Sequence, residues 1–473
     1  MARLLKTPTT SSNAEPPMRQ TIRDQLTLAP PACARHFPKA QEYEEISRVL
    51  DECPEAGELV LAELLAGGVD PGVGRTGMSG EQVLRAKIVK QRETLSYRDL
   101  AFETAANEVF RRFCRLPAWE AWSKSTLQRN LSCVSAGTLE RVNRLVLGIA
   151  ERDGFEDGSL IATDGTALET NVHAPSDSAL LMDVVRVSTR LQLFAAEHFV
   201  DVFFEDPSSD AARLNWRISN ARRRAQRLPY YKELLAIAAD VLDRNQQVVD
   251  ELDRVVNLEV QAVTAALSKE LRRVHELGLR VVAQTRSRVI DGKSVKAKDK
   301  VLSLFEEHTD LIVQGNSMTF GHKITLATGK SQLILDVVVE RGNPADCTLA
   351  LRTLERQIAL YGRPPARAAF DGGYSSLANL TGAKRLGVKD VVFSKHPGIP
   401  VGDMVEDERD FEELRCFRTS VERVISVQKR CYGLRRCDWS GFEGFEAYVW
   451  TSVLAGNLVT LARLRLARKR RPE

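Results

Sequence analysis

The chain has 473 residues, 43% of them hydrophobic and 27% charged, which is too long for one ordinary domain and too charged for a membrane protein. Lysine and arginine number 67 against 63 acids, and the resulting net charge of +4, taken as a total, points to no polyanionic partner. Eight cysteines without a CxxC pair and only seven histidines argue against a structural zinc site and against a disulfide framework, and favour a reducing, cytoplasmic setting.

In chain order, residues 1–38 form a polar leader rich in Pro, Ser and Thr that reads as a disordered tail. Residues 39–155 read as helical, with charge segregated along them. Lys39 to Asp70 holds nine acids and two bases, whereas Arg75 to Arg129 holds eleven bases and six acids. Ser79 with Gln82 and Ser125 with Gln128 have capping-box spacing, and Ser96 opens another short helix. Short helices with bases on their outer faces suit a DNA-binding unit of helix-turn-helix type, and a plain helical bundle with solvated bases would show the same pattern.

From Ser159 the period changes. SLIATD reads as a strand ended by Asp164, Gly-Thr as a turn, and TALETNVHA as a second strand. Residues 181–307 read as a long helical insert, with helices over Leu180–Phe199, Tyr230–Leu267 and Leu271–Val282. Within it lie six arginines in fifteen residues, among them Arg222, Arg223 and Arg224, with Trp216, Tyr230 and Tyr231 in or beside the run. Such a strip can follow a phosphate backbone while the aromatics stack on bases, and a solvated helix face is the plainer reading.

Strand character returns in GHKITLATG, LILDVVVE, RAAFDGG and KDVVFSK, with helices between the last of them. The expected fold is therefore α/β, a mixed sheet flanked by helices, with residues 156–180 and 308–465 forming one core around the insert. The apolar segment 442–464 reads as a buried helix rather than a membrane span, because Glu446 and Asn457 interrupt it. A basic tail, 466–473, follows, and the bases of RLRLARKRR suit a helix end or non-specific DNA contact.

Candidate chemistry lies in carboxylates at strand ends, where ligands gather in α/β sheets. Asp164 and Asp371 each precede a glycine. Glu422 lies on a helix, where at about 100° per residue Arg415, Arg418 and Lys429 share its stripe and Phe417, Val424, Val427 and Cys431 face the core. Singly, each acid could be an ordinary turn residue or surface ion pair. Together, three carboxylates can bind divalent cations for in-line phosphoryl displacement, with Arg418 and Lys429 placed to hold the strand. His173, His322, Asp177, Asp183 and Asp336 are further candidates for the same centre.

DGT at 164–166, FDGGY at 370–374 and Arg418-x3-Glu422-x6-Lys429 resemble the DDE-type insertion-sequence transposases. The last of these matches the latter part of their Tyr-x2-Arg-x3-Glu-x6-Lys signature, with Arg415 in the tyrosine position. TDGTALETNVHAPSDSALLMDVVRVSTR, SLFEEHTDLIVQGN, RGNPADC and YGLRRCDWSGFEGFEAYVW are similar to the ISNCY group. The resemblance implies an RNase H-like core with Asp164, Asp371 and Glu422 as catalytic, metal-holding acids and with the helical insert between the two aspartates. It also implies magnesium, for which manganese substitutes. The implied partners are DNA, both element ends and target, and a second copy of the chain in a dimer or larger synaptic assembly, with no membrane. A DNA-binding regulator without catalysis, or a nuclease that cuts without joining, would share most of these features.

Overall fold

The computed structural model describes Thr21 and residues 36–66, 77–315, 317–395 and 397–470. The leader expected over 1–38 therefore lies, apart from Thr21 and 36–38, outside the described residues, as does Arg471 at the end of the basic run.

Seven helices come first: α1 (Pro38–Asp51), α2 (Glu55–Ala66), α3 (Gly80–Arg92), α4 (Tyr97–Ala106), α5 (Glu108–Phe113), α6 (Lys124–Ser132) and α7 (Ala136–Arg152). Side-chain oxygens start most of them. Ser79 closes a capping box with Gln82, and Ser96 and Ser135 accept from the N–H groups three residues on. The box expected at Ser125 is absent, because the helix begins two residues earlier with Ser123 as its cap, accepting from the N–H of Thr126.

The bases of α3 are not on its outer face. Arg85 is fully buried, with its guanidinium 2.6 Å from Asp51, 2.8 Å from Glu81 and donating to Ser47. Lys87, also buried, donates to the Leu131 carbonyl at 2.8 Å and lies 4.1 Å over the Trp439 ring. Lys90 is stacked over Tyr97 and the same Trp439. Their long stems fill the core and their charged ends find acids, carbonyls or ring faces.

The sheet carries six strands: β1 (Leu160–Glu169), β2 (Asp310–Gln314), β3 (Ser317–Gly329), β4 (Ile334–Val339), β5 (Arg367–Phe370) and β6 (Asp390–Phe393). Its order is β2-β3-β1-β5-β6, with β4 also paired to β3; β2 pairs at 317–321 and β4 at 324–328 of β3. The β1–β3, β2–β3 and β3–β4 pairs are antiparallel, and β1–β5 and β5–β6 are parallel. This mixed sheet flanked by helices is the RNase H-like arrangement expected. The strand, turn and second strand expected at 159–174 are instead one strand, since β1 pairs with β3 without interruption from Ile161 to Glu169. Asp164 thus sits within β1 rather than at its end.

Between β1 and β2 run α8 (Asp177–His198), α9 (Ser208–Asn220), α10 (Arg224–Asp253) and α11 (Gln261–Thr285), which pack on one another around their own apolar cores. The helix expected over Tyr230–Leu267 is broken at 254–260, which lets α11 fold back along α10 and α8.

Downstream come α12 (Ala350–Tyr361), α13 (Leu377–Arg385), α14 (Val401–Met404), α15 (Glu408–Cys431) and α16 (Phe442–Arg470). α15 lies across β1, β5 and β6, while α16 contacts α1, α3, α7 and β4. Asn457 of α16 explains how a polar residue fits in that helix, because its amide bonds Asn143 of α7 at 2.8 Å and both backbone groups of Ile334. α1–α7, the sheet and α16 share one continuous core. Among the described residues no helix is long and apolar enough to cross a membrane.

The basic run at the chain end remains helical to Arg470 and is docked on the acidic segment. Arg463 bonds Glu42, Arg465 bonds Glu52 and Asp153, and Lys469 bonds Glu45, all between 2.6 and 2.7 Å.

Candidate active site

The parallel register of β1 and β5 places Thr163 opposite Phe370, so the next residues, Asp164 and Asp371, emerge side by side where β5 ends and β1 continues. β5 ends there because Asp371 opens a short turn, Gly372–Tyr374. α15 crosses these strands and supplies Arg418 and, one turn later, Glu422.

One guanidinium joins all three acids. Nη1 of Arg418 lies 3.2 Å from Asp371 Oδ1 and 3.7 Å from Asp164 Oδ2, and Nη2 donates to Glu422 Oε1 at 2.7 Å. The side chain of Arg418 is 13% exposed and that of Asp164 19%, whereas Asp371 at 46% and Glu422 at 55% open to solvent. The site is thus a carboxylate cluster with a buried floor and an accessible rim.

Backbone groups steer the two aspartates. The N–H of Gly165 donates to Asp164 Oδ1 at 2.7 Å, Asp371 accepts from the Ser394 hydroxyl at 2.8 Å, and the backbone N–H groups of Gly372 and Gly373 favour the charged form of Asp371. Burial, reinforced by the neighbouring acids, pushes the Asp164 carboxyl up to about 6 despite the Gly165 N–H and Arg418. Burial also acts to raise Asp371, but the Ser394 hydroxyl, the glycine N–H groups and Arg418 outweigh it and hold it below the usual carboxylate range.

The other expected residues are placed differently. Arg415 points away from the acids and pairs with Glu412 at 2.7 Å on the exposed side of α15. Lys429 lies near Arg435 and Glu169, at the far end of β1, and its burial and Arg435 lower its pKa. Cys431 is exposed rather than part of the core face, which is made by Phe411, Leu414, Val421, Val424, Ile425 and Gln428. Arg222, Arg223 and Arg224 are exposed at the junction of α9 and α10. Asp336 is bound to Arg356, Asp177 to Arg288 and Asp183 to Arg186. His322 is buried against His308, ring nitrogen to ring nitrogen at 2.7 Å, and His173 is exposed. None of these joins the cluster around Arg418. Ser394, which sequence reasoning passed over, does, and its position just past the apolar run of β6 was the available signal.

Oxygen-only donors of high negative charge suit a hard divalent cation, and no thiol or imidazole competes here. Among the described residues no three His, Cys, Asp or Glu side chains are close enough to ligate one ion, because the acids are spaced around the guanidinium. The donor chemistry fits, with Arg418 now compensating the charge that a cation would meet.

Residues 283–458 match the transposase DDE domain family, and residues 32–133 match the transposase domain family DUF772. The first match contains Asp371 and Glu422 and begins downstream of Asp164. No curated protein and no solved structure matches the chain. With both matches in their expected order on an RNase H-like fold, the chain belongs to the DDE transposases of insertion sequences. Membership implies DNA as a partner and a divalent metal in the chemistry.

Proposed function

We propose that this chain binds the ends of its own insertion sequence, cleaves them and joins the freed 3′ ends to target DNA, with Asp164, Asp371 and Glu422 as the catalytic acids. The observation that carries this reading is the convergence of carboxylates from β1, from the end of β5 and from α15 on the single guanidinium of Arg418. The three acids would hold magnesium, or manganese in its place, which when bound polarises the scissile phosphate and makes water a stronger nucleophile.

In the first step a water oxygen bonds to phosphorus at the element end and the P–O3′ bond breaks, leaving a 3′-hydroxyl on the element and a 5′-phosphate on the flank. In the second, that hydroxyl oxygen bonds to a target phosphorus and displaces the target's own 3′ oxygen, which takes a proton from solvent. Arg418 is placed to exchange carboxylate partners for the phosphate, since a guanidinium forks equally well to either. Arg415 and Lys429, along the same helix, would grip the strand to either side, and Arg222, Arg223 and Arg224 would contact the backbone farther out. Joining requires two ends at once, so a dimer or larger assembly forms on DNA. The chemistry belongs in the cytoplasm, at the nucleoid when DNA is bound.

Cleavage of a labelled element end in magnesium tests the assignment. Asp371→Asn and Glu422→Gln should each lower the rate by about three orders of magnitude or more while leaving end binding and thermal stability near those of the parent. Cleavage at the parental rate by either variant sinks the reading.

A further inference from the structure

A second carboxylate site lies directly behind the candidate catalytic acids. Asp346, in the loop between β4 and α12, is paired with Lys323 of β3 at 2.5 Å, and Lys323 also donates to the Pro344 carbonyl of the same loop at 2.7 Å. Lys323 is only 5% exposed while Asp346 is 36% exposed, so the anchor is a buried cation held by a half-buried carboxylate. It fixes the loop against the sheet.

The place where it does so is specific. A Cβ added to Gly373 would stand 2.7 Å from Asp346 Oδ2, and one added to Gly165 would stand 3.5 Å from Oδ1. The carboxylate therefore lies between these two glycines, one oxygen toward each. They are the same residues whose N–H groups face the acids, Gly165 bonding Asp164 and Gly373 favouring the charged form of Asp371. The buried hydroxyl of Tyr374, which has no hydrogen-bond partner among the described residues, would stand 3.6 Å from the same added Cβ of Gly165.

We infer that Asp346, anchored by Lys323, is a positioning residue that sets the spacing of Asp164 and Asp371 by seating the two glycines whose amides orient them. This rests on the reading of Asp164 and Asp371 as metal-holding acids. Groups that orient metal-binding carboxylates commonly matter nearly as much as the ligands, and their loss costs about 10–100-fold in affinity or activity. Gly373 then has a reason to lack a side chain, since at 2.7 Å a methyl there would displace the carboxylate, whereas the 3.5 Å at Gly165 is ordinary contact.

The test uses the full chain and manganese as probe. Manganese binding is followed by electron paramagnetic resonance without DNA, and end cleavage is measured across a manganese titration. Asp346→Ala should weaken manganese binding about tenfold or more and raise the manganese needed for half-maximal cleavage to match, with a cooperative unfolding transition retained. Asp346→Asn keeps the shape and should fall between Ala and the parent. Gly373→Ala should resemble Asp346→Ala, and the double variant should be no worse than either single one, because removing the carboxylate makes room for the methyl. If Asp346→Ala binds manganese and cleaves as the parent does while Asp371→Asn is inactive, the positioning role is wrong and the catalytic reading stands. If Asp371→Asn also cleaves normally, the catalytic reading itself has failed. Losses in Asp346→Ala and Gly373→Ala that simply multiply would also overturn the spacing role.

Discussion

Arg85, Lys87 and Lys90 of α3 turn their charge into the protein, whereas Arg222, Arg223 and Arg224 at the α9–α10 junction turn theirs to solvent. The first group is fully committed: carboxylates at 2.6 and 2.8 Å for Arg85, a carbonyl and an indole face for Lys87, two aromatic rings for Lys90. In the second, Arg224 donates only to the Val289 carbonyl, and no carboxylate pairs with any of the three among the described residues. The basic end of α16 belongs with the first group, since its partners are the acids of α1 and the residues after it. A net charge of +4 thus averages bases already neutralised inside the fold with bases free to meet phosphate. Density of positive charge along the chain does not separate the two; the presence of a partner does.

The largest effect should come from breaking the committed group. Arg85→Ala empties a fully buried site and takes from Asp51 and Glu81 one of their two arginine partners, Arg115 being the other, and should cost about 3 kcal/mol through lost packing and a weakened ion-pair network. Urea unfolding monitored by circular dichroism measures it. A loss below about 1 kcal/mol would mean that solvent reaches the network and that the contrast with the insert is overdrawn.

Lys87 gives the next largest effect, and its sign depends on pH. Burial, with Lys90 nearby, lowers its pKa to about 7 from 10.5. Between those values the unfolded chain binds more protons than the folded one, so stability rises as pH increases from 7 to 10. The parent should gain a few kcal/mol over that window relative to Lys87→Met, whose stability lacks this gradient. Parallel curves would show that the ammonium keeps its proton over Trp439.

Much of the candidate site was legible because its signals are local. An apolar run stopped by Asp371, and the helical spacing of Arg418 and Glu422, survive folding unchanged since each depends on a few neighbouring residues. The mistakes fall where distant chain decides. Gly165 and Thr166 read as a turn, yet pairing with Thr325 and Ile324 of β3, some 160 residues on, keeps them in a strand. Nothing near Lys87 announces its burial, because the ring that receives it belongs to Trp439. Asp346 lies in RGNPADC, a stretch visible as a resemblance, but its seat between Gly165 and Gly373 exists only once β1, β3 and β5 are assembled.

The smallest effect on stability, and the sharpest on binding, is expected from Arg222→Ala, Arg223→Ala and Arg224→Ala combined. Exposed side chains without ion pairs contribute little to folding, so unfolding should stay within about 0.5 kcal/mol of the parent. If all three meet phosphates, titration of a fluorescent element-end duplex at increasing salt should show weaker binding and a salt slope shallower by about 3, close to 0.9 for each lost contact. An unchanged slope would leave the strip a solvated helix end and remove it from the DNA path. The same substitution scheme applied to Arg463, Arg465 and Lys469 should give the reverse, a stability loss with little change in slope, because those cations already have carboxylates. If both sets lowered the slope equally, the ion pairs of α16 would have to open on DNA, and the acidic helix α1 would be a competitor for DNA rather than a brace.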